Sequence, residues 1–184
     1  MKTLEASARR IRITMPRLRG VPSSLMIHPE DYTVQMRLIN NEFLKAAALG
    51  KVNEADRLLS SMDAVPDAVD MDLNTAMHHV AVRGFTEMGS RLLDNWKAVI
   101  NPLNRFNFTP LDLSSAAGKT ATVKMLLVRY PNSGTMNAQF LKAAKVADDY
   151  GQAAIAAILR RTAKEGVGFL NMGAQVPART ASLV

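Results

Sequence analysis

Cysteine is absent from this chain of 184 residues, which removes disulfides and thiolate chemistry from consideration. An oxidising compartment is thereby neither required nor excluded. Aromatic residues are scarce, at 5%. With alanine, leucine and methionine dominant, that scarcity suits close-packed helices with small residues at their contacts and fits a β-sandwich poorly. No run of 18 apolar residues occurs, so no segment reads as a membrane-spanning helix. The 48% hydrophobic content is still enough for one domain with a substantial core.

Acidic residues are outnumbered by basic ones, 16 against 23, for a net charge of +7. The excess sits at the ends. Residues 1–20 carry Lys2, Arg9, Arg10, Arg12, Arg17 and Arg19 against Glu5, or +5, and residues 160–184 carry +3. The stretch between is −1, which removes most support for nucleic-acid binding by the folded body. Arg9, Arg10 and Arg12 interrupt any apolar core of a secretory signal. Residues 1–25 therefore read as a basic flexible lead-in, with mitochondrial targeting as the alternative. Pro16, Gly20, Pro22 and the Ser23-Ser24 pair mark a linker.

What is present is a period. Gly50, Gly84, Gly118 and Gly151 recur at intervals of 34, 34 and 33 residues. Paired leucines follow the first three at Leu58-Leu59, Leu92-Leu93 and Leu126-Leu127, and Leu159 follows the fourth, where Arg160 turns the helix polar. A unit of this length is the spacing of a two-helix repeat. The first helix can begin near Pro29, with Glu30 and Asp31 favouring its start. Its apolar stripe reads Val34, Leu38, Phe43, Leu44 and Ala47, with a break expected near Asn40-Asn41 and an end at residue 49. A second helix is expected to end near Ser60.

Val99 to Gly118, VINPLNRFNFTPLDLSSAAG, carries the most specific text. It resembles the ankyrin repeat: Ile100 and Asn101 match the strand, Asn104 the aspartate, Asn107 the turn glycine, Thr109-Pro110-Leu111 the helix start and Gly118 the interhelix turn. Thr109 is placed to cap the helix, Pro110 sits where its missing N–H is harmless, and Asn107 tolerates a left-handed backbone. The second unit keeps Thr75, Met77, His78, Ala81, Gly84 and Glu87 but has Leu73 for the turn glycine, so its hairpin is expected to be distorted. The resemblance covers roughly residues 40–161 and weakens in the first and last units. It implies an all-α solenoid of stacked antiparallel helix pairs with short β-turn hairpin loops. The units are expected at about 40–66, 67–100, 101–134 and 135–161, preceded by a capping helix, within a domain of residues 26–161. Residues 162–184 read as an irregular tail, with Phe169 and Leu170 folded back onto the last helix.

Other motifs fail. Gly118-Lys119-Thr120 imitates a phosphate-binding loop, but Leu113 stands where that loop needs glycine. His78 and His79 are adjacent, so a helix splays them and denies them the i, i+4 spacing of a chelating pair. In the family, the histidine at His78 hydrogen-bonds the turn backbone. Asp148-Asp149 read as a solvated helix end. No catalytic grouping, metal site or cofactor motif is found, and the chain reads as a non-enzyme. The ending Ser182-Leu183-Val184 fits a ligand for a PDZ-type groove.

The resemblance implies protein binding through hairpin tips and inner-helix groove. Carried over position by position, the exposed set is Met71, Asp72, Asn74, Val82 and Arg83 in unit two. In unit three it is Arg105, Phe106, Phe108, Ala116 and Ala117. Phe108 could equally pack beneath its hairpin, Tyr150 could close the far end of the groove, and Trp96 and Met88 belong between repeats. The expected protein is a monomeric, cytoplasmic interaction module, an adaptor or a secreted bacterial effector. Alternatives are an inhibitor or immunity protein that occludes an enzyme, and a nucleic-acid or anionic-membrane binder acting through the basic ends.

Overall fold

The computed structural model describes residues 29–130 and 136–166. The basic lead-in, the linker, Phe169, Leu170 and the Ser182-Leu183-Val184 ending lie outside the described residues. Eight helices run in order: α1 (Pro29–Ala48), α2 (Val52–Ser61), α3 (Ala76–Arg83), α4 (Thr86–Asp94), α5 (Pro110–Ala116), α6 (Thr120–Arg129), α7 (Met136–Asp149) and α8 (Ala153–Glu165). They form four antiparallel pairs. The inner helices α1, α3, α5 and α7 pack in series, α4 and α6 pack behind them, and no strand beyond an isolated bridge is found among the described residues.

Each pair is joined at one of the spaced glycines. All four adopt left-handed φ, between +69° and +82°, where a side chain is disfavoured. The residue after each glycine sends its N–H back to the inner helix: Lys51 to Ala46, Phe85 to Val80, Lys119 to Ser114 and Gln152 to Ala147, at 2.7–3.2 Å. This is the Schellman closure, which satisfies helix-end carbonyls that would otherwise lack donors.

The same glycines also set the stacking distance. A Cβ on Gly50 would lie 3.1 Å from the Phe85 ring, one on Gly84 3.0 Å from Lys119 and one on Gly118 2.8 Å from Gln152. The side chain filling each vacancy is the one just after the next unit's glycine. Gly151, in the last pair, has nothing within 4 Å. Small inner-helix residues allow the same closeness. Ala47, Ala81, Ser114 and Ala147 are fully buried, and Ser114 and Ser115 return their hydroxyls to the Leu111 carbonyl.

Leu58, Leu92, Leu126, Leu127 and Leu159 fill the space between inner and outer layers, each stabilising by roughly 1.5–3 kcal/mol. Met88 is buried with them, and Trp96 reaches back one unit to donate to Asp56 at 3.0 Å. Arg91 binds the same carboxylate at 2.8 Å, and Arg129 binds Asp94 at 2.6 Å. These pairs stitch neighbouring outer helices.

Three expectations for the ends need correction. α1 is unbroken at Asn40-Asn41, because the Asn40 amide oxygen accepts the Val65 N–H at 2.9 Å instead of competing for its own helix. The capping helix and the inner helix of unit one are thus a single rod. Its buried face is Ile39, Phe43, Ala46 and Ala47 with Leu44, whereas Val34 and Leu38 are exposed. α8 runs to Glu165, past the boundary at 161, because Thr162 is buried and bonds the Ile158 carbonyl.

Both glycine effects can be separated by substitution. Gly151→Ala should lose only the backbone preference, about 1–2 kcal/mol. Gly50→Ala should lose about 1 kcal/mol more, because the methyl meets the Phe85 ring. Urea denaturation of the two variants checks this, and equal losses would show that the ring contact carries no stability.

Candidate partner-binding surface

Two hairpins project from the starts of α3 and α5, at residues 69–75 and 103–109. Each is built around one acceptor side chain. Asp70 Oδ1 accepts the N–H groups of Asp72 and Asn74 at 2.9 and 2.8 Å, and Asn104 Oδ1 accepts those of Phe106 and Phe108 at 3.0 Å. Although partial burial pulls the other way, the hydrogen bonds from Asn74 and Asp72 and the nearby His79 hold the Asp70 carboxyl below its usual range. The turn closes in both units from residue 73 or 107 to residue 70 or 104, at 3.0 Å.

The expected distortion of the second unit's hairpin is therefore wrong. Leu73 takes a left-handed φ of 59°, the same as Asn107, and the hydrogen bonds are those of its neighbour. Four bonds to Asp70 hold a leucine where glycine or asparagine is normal. The strain is of the order of 1–2 kcal/mol.

Thr109 caps α5 as expected, accepting the Asp112 N–H, while Asp112 returns a bond to the Thr109 N–H at 2.9 Å. In unit two His78 replaces that carboxylate. Its Nδ1 accepts the Thr75 N–H and its Nε2 donates to the Phe108 carbonyl of the next hairpin, both at 3.0 Å. An acceptor role at Nδ1 requires the neutral ring. Burial pushes its pKa below the ordinary value, against the pull of the Phe108 carbonyl.

The hairpins are also tied to one another. Asn104 Nδ2 donates to Asn74 Oδ1 at 2.9 Å, and the Arg105 N–H donates to the Asp72 carbonyl at 2.8 Å. The Arg105 guanidinium bonds the Met71 carbonyl and lies 3.5 Å from the Asp72 carboxylate. On the far side Lys142 reaches from α7 to Asn107 and to the buried Asp112 carboxylate, and stands 5.8 Å above the Phe108 ring.

These contacts sort the candidate residues. Met71 and Phe106 project freely at the tips, 87% and 62% exposed. Arg105, Asp72 and Asn74 are brought beside them, but each already bonds a neighbouring hairpin. Phe108 is half-buried under Lys142, so its ring packs more than it presents. Arg83 lines a shallow pocket of about 340 Å³ with Asn74, His78, His79, Val82 and Leu113. Tyr150 is exposed beside Gly151 and takes no part in that pocket. Val69, Leu73 and Leu103 are exposed hairpin residues absent from the expected set. Leu73 had a legible signal: a large apolar residue at a position that demands left-handed backbone. Among the described residues no group of three His, Asp or Glu could hold a metal, and no helix is long and apolar enough to cross a membrane.

Against known proteins, the 26S proteasome non-ATPase regulatory subunit 10 of Dictyostelium discoideum is 31% identical over 87 residues. The match takes in 47% of this chain and spans 38% of that subunit. No family model matches the chain.

His78 makes stability depend on pH. With the folded pKa below the unfolded one, its contribution is complete above the unfolded value of about 6.5 and is lost as pH falls through and below it. The melting temperature should therefore fall between pH 7 and pH 5. His78→Gln should flatten that segment while losing about 1–2 kcal/mol at pH 7.5. Melting curves across that range test it, and an unchanged slope in the variant would remove His78 as its source.

Proposed function

We propose that this chain, which is an ankyrin-repeat protein, is a non-catalytic module that grips another protein with its hairpin tips and the adjoining inner-helix groove. The observation that carries this is the pairing of exposure with rigidity at the tips. Met71, Leu73 and Phe106 present apolar surface to solvent, yet the backbone beneath them is held by Asp70, Asn104 and Arg105. An isolated apolar surface residue needs no explanation, but apolar side chains held out on two neighbouring, preorganised hairpins, an aromatic among them, are what binding hot spots are made of. Strain at Leu73 adds to the argument, since an unfavourable backbone holding an exposed leucine is explained by contact with a partner.

The name of the matching relative, a regulatory and non-ATPase subunit, agrees with binding rather than catalysis. We read the chain as acting in the cytosol as a monomer. An adaptor, a delivered effector and an enzyme-occluding inhibitor are finer forms of the same reading, and the identity of the captured protein decides among them.

Phe106→Ala should weaken capture of the partner from cell lysate by tenfold or more, with stability unchanged to within about 0.5 kcal/mol. Loss of stability equal to the loss of capture would return Phe106 to a packing role. Leu73→Asn should do the opposite to stability, raising it by about 0.5–1 kcal/mol while weakening capture. Thermal melts and quantitative pull-downs on both variants settle the question, and a Leu73 variant that binds normally would sink the hot-spot argument there.

A further inference from the structure

Units two and three each carry a hairpin ahead of the inner helix, but in unit one residues 29–40 of α1 stand in that place. The first hairpin is therefore braced by a neighbouring hairpin on one side alone, through Asn104 and Arg105. On its other side a notch of about 420 Å³ opens against α1, lined by Arg37, Asn40, Asn41, Val69, Asp70 and Met71.

The loop and hairpin that border this notch are apolar and acidic together. Val65, Val69, Met71 and Leu73 are exposed, and Val65 is fixed to α1 by its bond to Asn40 Oδ1. Residues 58–82 contain Asp63, Asp67, Asp70 and Asp72 and no lysine or arginine, in a chain whose net charge is +7. Asp67 accepts the Val99 N–H at 2.9 Å, and Asp70 accepts from Asp72, Asn74 and His79, so both carboxylates are held in place. Asp63 is exposed and has neither hydrogen bond nor ion pair. Arg37 stands across the notch, and Arg105 is engaged with Met71 and Asp72. Four carboxylates against two guanidinium groups leave the surface acidic, which suits a cationic occupant with aliphatic side chains.

The chain itself contains such a segment. Residues 9–19 read Arg-Arg-Ile-Arg-Ile-Thr-Met-Pro-Arg-Leu-Arg, without a single acid. Their alternation of arginine with aliphatic residues answers the alternation of aliphatic residues with acid in Val69-Asp70-Met71-Asp72-Leu73. The connection is also long enough. The helix from Pro29 to Asn40 rises roughly 16 Å. The ten residue steps from Pro29 back to Arg19 can span roughly 33 Å, so the segment can double back to the notch.

We propose that residues 9–19 dock on this surface of their own chain, arginines toward Asp63, Asp67 and Asp72 and aliphatic side chains against Val65, Val69 and Met71. Tethering supplies an effective concentration of the order of millimolar, so a weak contact suffices. Docking covers the first hairpin tip, and a partner must displace the segment to reach Met71. That consequence rests on the reading of the hairpin face as the partner-binding surface, whereas the docking itself is measured with no partner present.

The absence of cysteine makes the test clean. Thr14→Cys in the isotope-labelled full chain gives one site for a nitroxide spin label, and the label weakens amide signals near it. Signals of Val65, Val69, Met71 and Leu73 should lose about half their intensity or more, with Leu141 and Tyr150 of the last unit unaffected. Sodium chloride at about 1 M, where the screening length is about 3 Å, should restore them. Replacing Arg9, Arg10, Arg12, Arg17 and Arg19 by glutamine should restore them at low salt, with no change in melting temperature. Uniform weakening over the body, weakening centred elsewhere, or persistence after the arginines are replaced would each overturn the proposal. So would equal weakening in a label-free chain mixed with a spin-labelled one, which places the contact between copies. If Phe106→Ala abolishes capture while the spin label leaves the hairpin untouched, only this inference falls. If the label finds the hairpin and Phe106→Ala captures normally, the docking stands and the partner reading falls.

Discussion

One contact repeats through the molecule and the rest depends on it: the bare face of an interhelix glycine against the side chain that follows the next unit's glycine. The left-handed turn folds each helix pair back on itself. The missing Cβ then lets Phe85, Lys119 or Gln152 close over the turn before it. A single residue type thereby sets both the hairpin within a unit and the distance between units. The open space around Gly151 belongs to the pair with no described successor.

Given that spacing, the projecting hairpins come close enough to bond each other, and most of their polar groups do so. Asp70 and Asn104 organise their own turns, and His78, Asn104 and Arg105 join one hairpin to the next. Because each hairpin leans on its neighbours, a leucine can occupy a left-handed position without disturbing the turn. The array changes at its two ends, where the long helices α1 and α7 replace short inner helices. At one end Lys142 braces the third unit's hairpin, and at the other a notch remains beside Arg37.

Function follows from what this bonding leaves over. Arg105 looks like a contact residue in the sequence, since an arginine beside two phenylalanines invites that reading, but its guanidinium is engaged with Met71 and Asp72. Phe106 on one side of it stays in solvent, and Phe108 on the other goes under Lys142. The relation to a regulatory proteasome subunit concerns under half of either chain. The surface reading therefore stands on the geometry of the hairpins themselves.

The repeat, its helices and its turns were legible in the sequence because they rest on local physics: glycine at left-handed positions, threonine at a helix start, leucine on a buried face. Asn107, Thr109 and the four glycines behave as their residue types dictate. Whether Arg37 or Arg105 is paired, whether Phe106 or Phe108 is covered, and that α1 passes through Asn40 unbroken depend on groups about 25 to 35 residues away along the chain. Such groups meet only after the units have stacked, so tertiary structure alone decided which side chains were left free to bind.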